Sequence, residues 1–243
     1  SDGSIIAIGA PGSKGGGLSR GCVQVYKFVG GMWQKEGQDI NGEADLDYTG
    51  SSVSISSDGN IVAVGARGNA AGGLLRGQVR VYQFIAGMWQ KVGQNIDGKS
   101  DYDSYGRTIS LSADGSVVAI GAESNAGGGI ARGQVRIFKL VNGTWMQEGT
   151  EINGETDGDM SGHAISLSSD GTTIAVGAGY NAGDGESRGH VRVFKISGSV
   201  WAQEGADING ESDFDFSGLS VSLSSDGSVV AINSPNNSGE GSQ

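Results

Sequence analysis

Residues 49–68, TGSSVSISSDGNIVAVGARG, hold two apolar runs on either side of an aspartate-glycine pair. In the first, Val53 and Ile55 alternate with Ser52, Ser54 and Ser56, the period-two pattern of a strand with unlike faces. The second, residues 60–66, is apolar almost throughout, as a strand covered on both faces should be. Asp58-Gly59 between them predicts a tight primed hairpin turn, the glycine accepting its positive φ.

The same pair recurs at Asp2, Asp58, Asp114, Asp170 and Asp226, each step being 56 residues. Trp33, Trp89, Trp145 and Trp201 keep that step, and so do Arg20, Arg76, Arg132 and Arg188. Four periods fill 224 of the 243 residues and 19 begin a fifth, so the expected units are 1–56, 57–112, 113–168, 169–224 and a partial 225–243, in one repeat domain. Within one period, the glycine-rich RGNAAGGLLRG (67–77) leads to QVRVYQF (78–84). A short turn at Ala86-Gly87 then precedes MWQKVGQNI (88–96). Four short strands per unit, with no helical periodicity, predict an all-β fold, a β-propeller of four-stranded blades. A β-helix uses shorter coils, and an immunoglobulin-like sandwich does not normally repeat at this spacing without a linker. Each tryptophan is assigned to the packing between blades, where burial of such a side chain contributes roughly 1.5–3 kcal/mol. Closing four blades would set SVSLS (220–224) beside SIIAIGA (4–10) and leave SVVAINS (228–234) as a surplus strand. The expectation is therefore a segment of a longer array.

Glycine is the compositional outlier, 46 residues against 2 prolines, without the every-third spacing of collagen. Hydrophobic content of 36% is enough for a core. With 16 Lys+Arg against 27 Asp+Glu the net charge is −11, which argues against nucleic acid and anionic membrane surfaces as partners. No run approaches the roughly 20 apolar residues that span a bilayer, so no membrane insertion is expected. The start at Ser1 shows no charged-then-apolar leader, which reads as a mature or excised segment. The lone Cys22 leaves the redox compartment undecided.

Residues 49–68 resemble the FG-GAP repeat of the integrin alpha-chain propeller, in which an aromatic-glycine pair precedes the first strand and Gly-Ala-Pro follows the second. IAIGAP (6–11) matches the second half, Tyr105-Gly106 comes nearest to the first, and the other units carry Thr or Ser before Gly50, Gly162 and Gly218. The resemblance implies a propeller, commonly seven-bladed in that family, serving extracellular recognition. On that footing the chain is expected to be a non-enzymatic extracellular or cell-surface interaction module, structural or adhesive. Its partners would be a protein or glycan ligand, or further copies or blades of the same array. A multivalent glycan-binding propeller lectin is the alternative. The family's DxDxDG calcium hairpin is reduced here to a single carboxylate, as in SSDGN, so no calcium site carries over to it.

Three further features concern chemistry. GQNIDGKS (93–100) fits the phosphate-loop pattern, yet the other units place GQDINGEA, GTEINGET and GADINGES there, and no helix follows to face an anion. The match is accidental. Paired aspartates recur as Asp45 and Asp47, Asp101 and Asp103, Asp157 and Asp159, Asp213 and Asp215, matching the opening of a calcium loop. Calcium takes about 6–8 oxygens, and the twelfth position here is a serine, so a turn-locking role is preferred to a metal site. No cofactor is expected, calcium being the one candidate. His163 and His190 occupy different repeat positions and read as drift, and fourfold carboxylates do not resemble one asymmetric acid/base pair, so no enzyme is expected. Asn142 and Asn236 fit the glycosylation pattern, although Asn-Gly also suits a tight turn.

Overall fold

A computed structural model describes residues 3–183 and 185–237; Asp2, the first of the recurring aspartates, lies outside them. Every element among the described residues is a strand. The first sheet comprises β1 (Ile5–Ala10), β2 (Cys22–Val29), β3 (Met32–Lys35) and β4 (Ile40–Asn41). The second comprises β5 (Thr49–Ile55), β6 (Ile61–Ala66), β7 (Gln78–Ile85), β8 (Met88–Lys91) and β9 (Ile96–Asp97). The third holds β10 (Thr108–Leu111), β11 (Val117–Ala122), β12 (Gln134–Val141), β13 (Thr144–Gln147) and β14 (Ile152–Asn153). The fourth holds β15 (Ala164–Leu167), β16 (Thr173–Ala178), β17 (His190–Ser197), β18 (Val200–Gln203) and β19 (Ile208–Asn209), and β20 (Val221–Leu223) pairs β21 (Val230–Ile232) in the fifth. These antiparallel sheets are the blades of a β-propeller-like fold, the class expected.

Two local features differ from the expectation. The residues 88–96 run is not one strand: β8 pairs Tyr82–Ile85 of β7 while β9 pairs Gln78 and Val79, with residues 92–95 bulging between them. The hairpin at Asp58-Gly59 is not a two-residue primed turn either. Only Gly59 has positive φ (75°); its N–H donates to the Ser56 carbonyl at 3.0 Å, and the Ser56 N–H donates to Ile61 O at 2.9 Å. This is a type I turn followed by a left-handed glycine. Asp58 locks it, Oδ1 accepting from Ser56 Oγ at 2.6 Å and from the Asn60 N–H at 3.0 Å. Ala86-Gly87, with φ of 51° and 84°, is the primed turn.

Alternation along the strands gives each blade two apolar faces. One face of the second blade, with Val62, Val64, Phe84 and Trp89, packs on Val23, Val25 and Ile40 of the first. Its other face, with Ala63, Val79, Val81 and Ile96, takes Val118, Ile120, Phe138 and Trp145 of the third. At each of the three junctions among the first four blades the indole is the keystone. The Nε1–H of Trp89 donates to Glu36 O at 2.9 Å, Trp145 to Val92 O at 2.9 Å and Trp201 to Glu148 O at 2.8 Å. Each ring lies on a glycine of the preceding blade; a Cβ on Gly37, Gly93 or Gly149 would come within 2.7–2.8 Å of it. These three tryptophans are 3–5% exposed, as their assignment to blade packing required, whereas Trp33 of the first blade is 48% exposed.

Trp89→Ala should therefore lower unfolding free energy by about 3–5 kcal/mol in urea titration, and Trp33→Ala by less than about 1 kcal/mol; equal losses would contradict the blade assignment. The hairpin carboxylates add a pH dependence. Hydrogen bonds from Ser56, Ser168 and Ser224 hold Asp58, Asp170 and Asp226 below the ordinary 3.8, Asp226 at about 2. The unfolded chain thus takes up these protons first, so this contribution is whole above 3.8 and is lost as pH falls toward 2. The urea midpoint should drop across that window, and a midpoint that holds level through it would count against the turn lock.

Candidate functional site

The loop that joins each blade to the next carries the paired aspartates. Asp45, Asp101, Asp157 and Asp213 accept from Nε of Arg20, Arg76, Arg132 and Arg188 at 2.7–2.8 Å. These guanidinium bonds, helped by the N–H groups of Leu18, Leu74, Ile130 and Glu186, hold the four carboxyls below their usual range. Asp47, Asp103, Asp159 and Asp215 are buried and face elsewhere. Asp47 Oδ2 accepts from the N–H groups of Glu43 and Ala44 at 2.9 Å, and Asp159 Oδ2 from those of Glu155 and Thr156 at 2.8 Å. Asp103 accepts from Ser100 N–H at 2.9 Å, and Asp215 from Glu211 and Ser212 at 3.0 and 2.9 Å. The amides of Asn69, Asn125, Asn181 and Asn237 complete these contacts at 2.8–3.1 Å. The two acids of a pair thus serve different partners, and neither joins a cluster of three metal donors among the described residues. In the phosphate-loop-like stretch, Lys99 forms an ion pair with Glu151 on the next blade, at the end of a bulged strand rather than a helix.

The chemistry gathers where the repeat is broken. The position of His163 holds Ser51, Arg107 and Leu219 in the other units, and that of Glu123 holds Pro11, Arg67 and Gly179. Glu123 follows β11 and His163 precedes β15 of the next blade, so blade stacking brings together two residues 40 apart. His163 Nδ1 lies 2.5 Å from Glu123 Oε2, and Arg107 Nε donates to Oε1 of the same carboxylate at 2.7 Å. Glu123 is 7% exposed, a buried acceptor held from two sides. Tyr180 packs edge-on to the imidazole at 6.0 Å between centroids. His163 and Arg107 line a cleft of about 290 Å³ with Ser52, Thr108 and Ser220. A carboxylate on Nδ1 fixes the ring and its tautomer and leaves Nε2 for proton transfer.

A second departure lies on the outer side of the fourth blade. His190 replaces the glutamines at 78 and 134, which donate to Asp97 and Asn153 at 2.9 Å. It is buried with Nδ1 3.9 Å from Asp207 Oδ2, and its Nε2 has no partner. Burial first, then Arg192, pushes its pKa below the ordinary imidazole value. His190, Asp207 and Glu155, the last contacted by Arg192 Nη1 at 3.2 Å, form a donor set whose atoms lie within 4.8 Å of one another. A nitrogen-oxygen set of this kind could hold zinc or manganese rather than calcium. From the sequence both histidines read as drift; their occurring once in a near-perfect repeat is the signal that each stands at an asymmetric cluster.

No family model and no curated protein matches the chain. Among solved structures it is similar to a putative 6-phosphogluconolactonase from Bacteroides uniformis ATCC 8492, with 13% identity and a TM-score of 0.54 over 79% of this chain and 49% of that one. The chain spans about half the length of that protein. The likeness, at this identity, establishes the propeller-like fold. It also corrects the expectations drawn from the FG-GAP and integrin resemblance: the matched propeller is an enzyme by name and not an adhesion protein, so the non-enzymatic interaction module, the lectin alternative and the extracellular or cell-surface location are withdrawn. The glycines that carried the resemblance stand at close backbone contacts. A Cβ on Gly9, Gly65, Gly121 or Gly177 would sit 2.0–2.3 Å from the carbonyl oxygen of Gly50, Gly106, Gly162 or Gly218. The two motif glycines are thus demanded by close backbone approach between neighbouring blades.

Proposed function

We propose that this chain is a hydrolase of small, sugar-sized lactones or esters, with His163 as general base. The observation that carries this reading is the Glu123–His163 contact of 2.5 Å, built from two positions where the repeat is broken, with His163 lining a cleft. The name of the structural neighbour, a putative 6-phosphogluconolactonase, supports a lactone as the substrate class. In this mechanism Glu123 orients the imidazole through Nδ1–H, and Nε2 takes a proton from the attacking water. The new C–O bond forms at the lactone carbonyl, the ring C–O bond breaks, and the imidazolium returns its proton to the departing alkoxide. Arg107 holds the other oxygen of Glu123, so the dyad keeps its geometry as charge develops on the ring. The net charge of −11 favours an uncharged substrate over a phosphorylated one.

Gluconolactone and 6-phosphogluconolactone, followed by acid release at constant pH, form the two arms of the test. The full chain should hydrolyse both above the buffer rate, the uncharged one faster. His163→Ala should lower kcat by roughly 10²-fold or more, in the range of general acid–base catalysis, with the melting temperature preserved. A buffer-level rate with both lactones, or full activity in His163→Ala, would refute the proposal.

A further inference from the structure

Three repeat positions meet where one blade joins the next, and their occupants change along the chain. In the second blade they are Glu43, Gln78 and Asn95, in the third Lys99, Gln134 and Glu151, and in the fourth Glu155, His190 and Asp207. Only the last combination joins two carboxylates to an imidazole. The third and fourth sets line equivalent clefts of about 400 and 300 Å³, so the cleft belongs to the repeat itself. In the third blade the Lys99 ammonium pairs with Glu151 across it, while Gln134 Nε2 donates to Asn153 at 2.9 Å. There the chain supplies its own cation.

In the fourth blade an acid, Glu155, stands where that lysine was. Asp207 Oδ1 accepts from Gln203 Nε2 at 2.7 Å and Glu155 Oε1 from Arg192 Nη1 at 3.2 Å, which orients both carboxylates and leaves a second oxygen on each. Between them His190 is 2% exposed, with Nδ1 3.9 Å from Asp207 Oδ2, beyond hydrogen-bond distance, and with Nε2 unpartnered among the described residues. A buried ring nitrogen without a partner calls for a ligand. We propose that Glu155, His190 and Asp207 bind one zinc ion, which takes the place that the Lys99 ammonium fills one blade earlier. Tetrahedral zinc, at about 2.0–2.2 Å from each donor, sets donors about 3.3–3.6 Å apart, so a set already within 4.8 Å closes on it with side-chain shifts of about 1 Å. Arg192 offsets one of the two acids, and one negative charge is left for the metal. The imidazole and the small number of carboxylates select zinc over calcium, which takes about 6–8 oxygens. The site shares no residue with the Glu123–His163 pair and stands whether or not the chain hydrolyses lactones.

Isothermal titration of zinc chloride into the full chain, first stripped with a chelator, tests this. One ion per chain should bind and raise the melting temperature. His190→Gln restores the residue of the second and third blades, so the metal-free melting temperature should hold while zinc affinity falls by about 100-fold or more. Glu155→Lys copies the third blade: the new ammonium should pair with Asp207, as Lys99 does with Glu151, and abolish zinc binding in a folded chain. Calcium at about tenfold excess should leave the zinc in place. Absence of zinc binding to wild type, wild-type affinity in either folded variant, or displacement of zinc by calcium would overturn the inference.

Discussion

The structure depends on the seating of one indole per junction. A four-stranded sheet of this size has two apolar faces and cannot bury either by itself, so its stability comes from its neighbours. The tryptophan meets that need twice, by covering the apolar face of the blade before it and by donating to a carbonyl at 2.8–2.9 Å that the bulge in the outer strand turns toward it. The glycine under the ring is the other half of the constraint: any side chain at Gly93 would strike the indole of Trp145. Bulge, glycine and tryptophan form one device, and its three copies set the spacing of the blades.

This device explains what the sequence made legible. Strand existence and order followed from alternation and from the aspartate-glycine punctuation, because those are local properties of a 56-residue unit. The interruption of the fourth strand at residues 92–95 was not legible, since the partner of its Val92 carbonyl is a side chain 53 residues away in the next blade. The primed turn expected at Asp58-Gly59 failed for a related reason. Hydrogen bonds from Ser56 and Asn60 to the Asp58 carboxylate favour a wider loop in which the glycine alone takes positive φ.

The candidate site was hidden by the same regularity that revealed the fold. Fourfold features such as the Arg20–Asp45 and Arg76–Asp101 pairs tie loops and repeat because every junction needs them. Glu123, His163 and Arg107 occur in this combination once, on two adjacent blades, and no spacing rule along the chain connects them. Their departure from the repeat is the trace that sequence alone carries. A propeller concentrates asymmetric chemistry at a few columns of a symmetric frame, so the unrepeated residues deserve the chemical reading and the repeated ones the structural reading.

Hydrogen exchange at the four indole N–H groups, resolved by nuclear magnetic resonance, reads the seating of each indole directly. Trp89, Trp145 and Trp201 should exchange slowly, protected by their inter-blade hydrogen bonds, while Trp33 should exchange at close to the free rate. Four indoles exchanging alike, fast or slow, would contradict it.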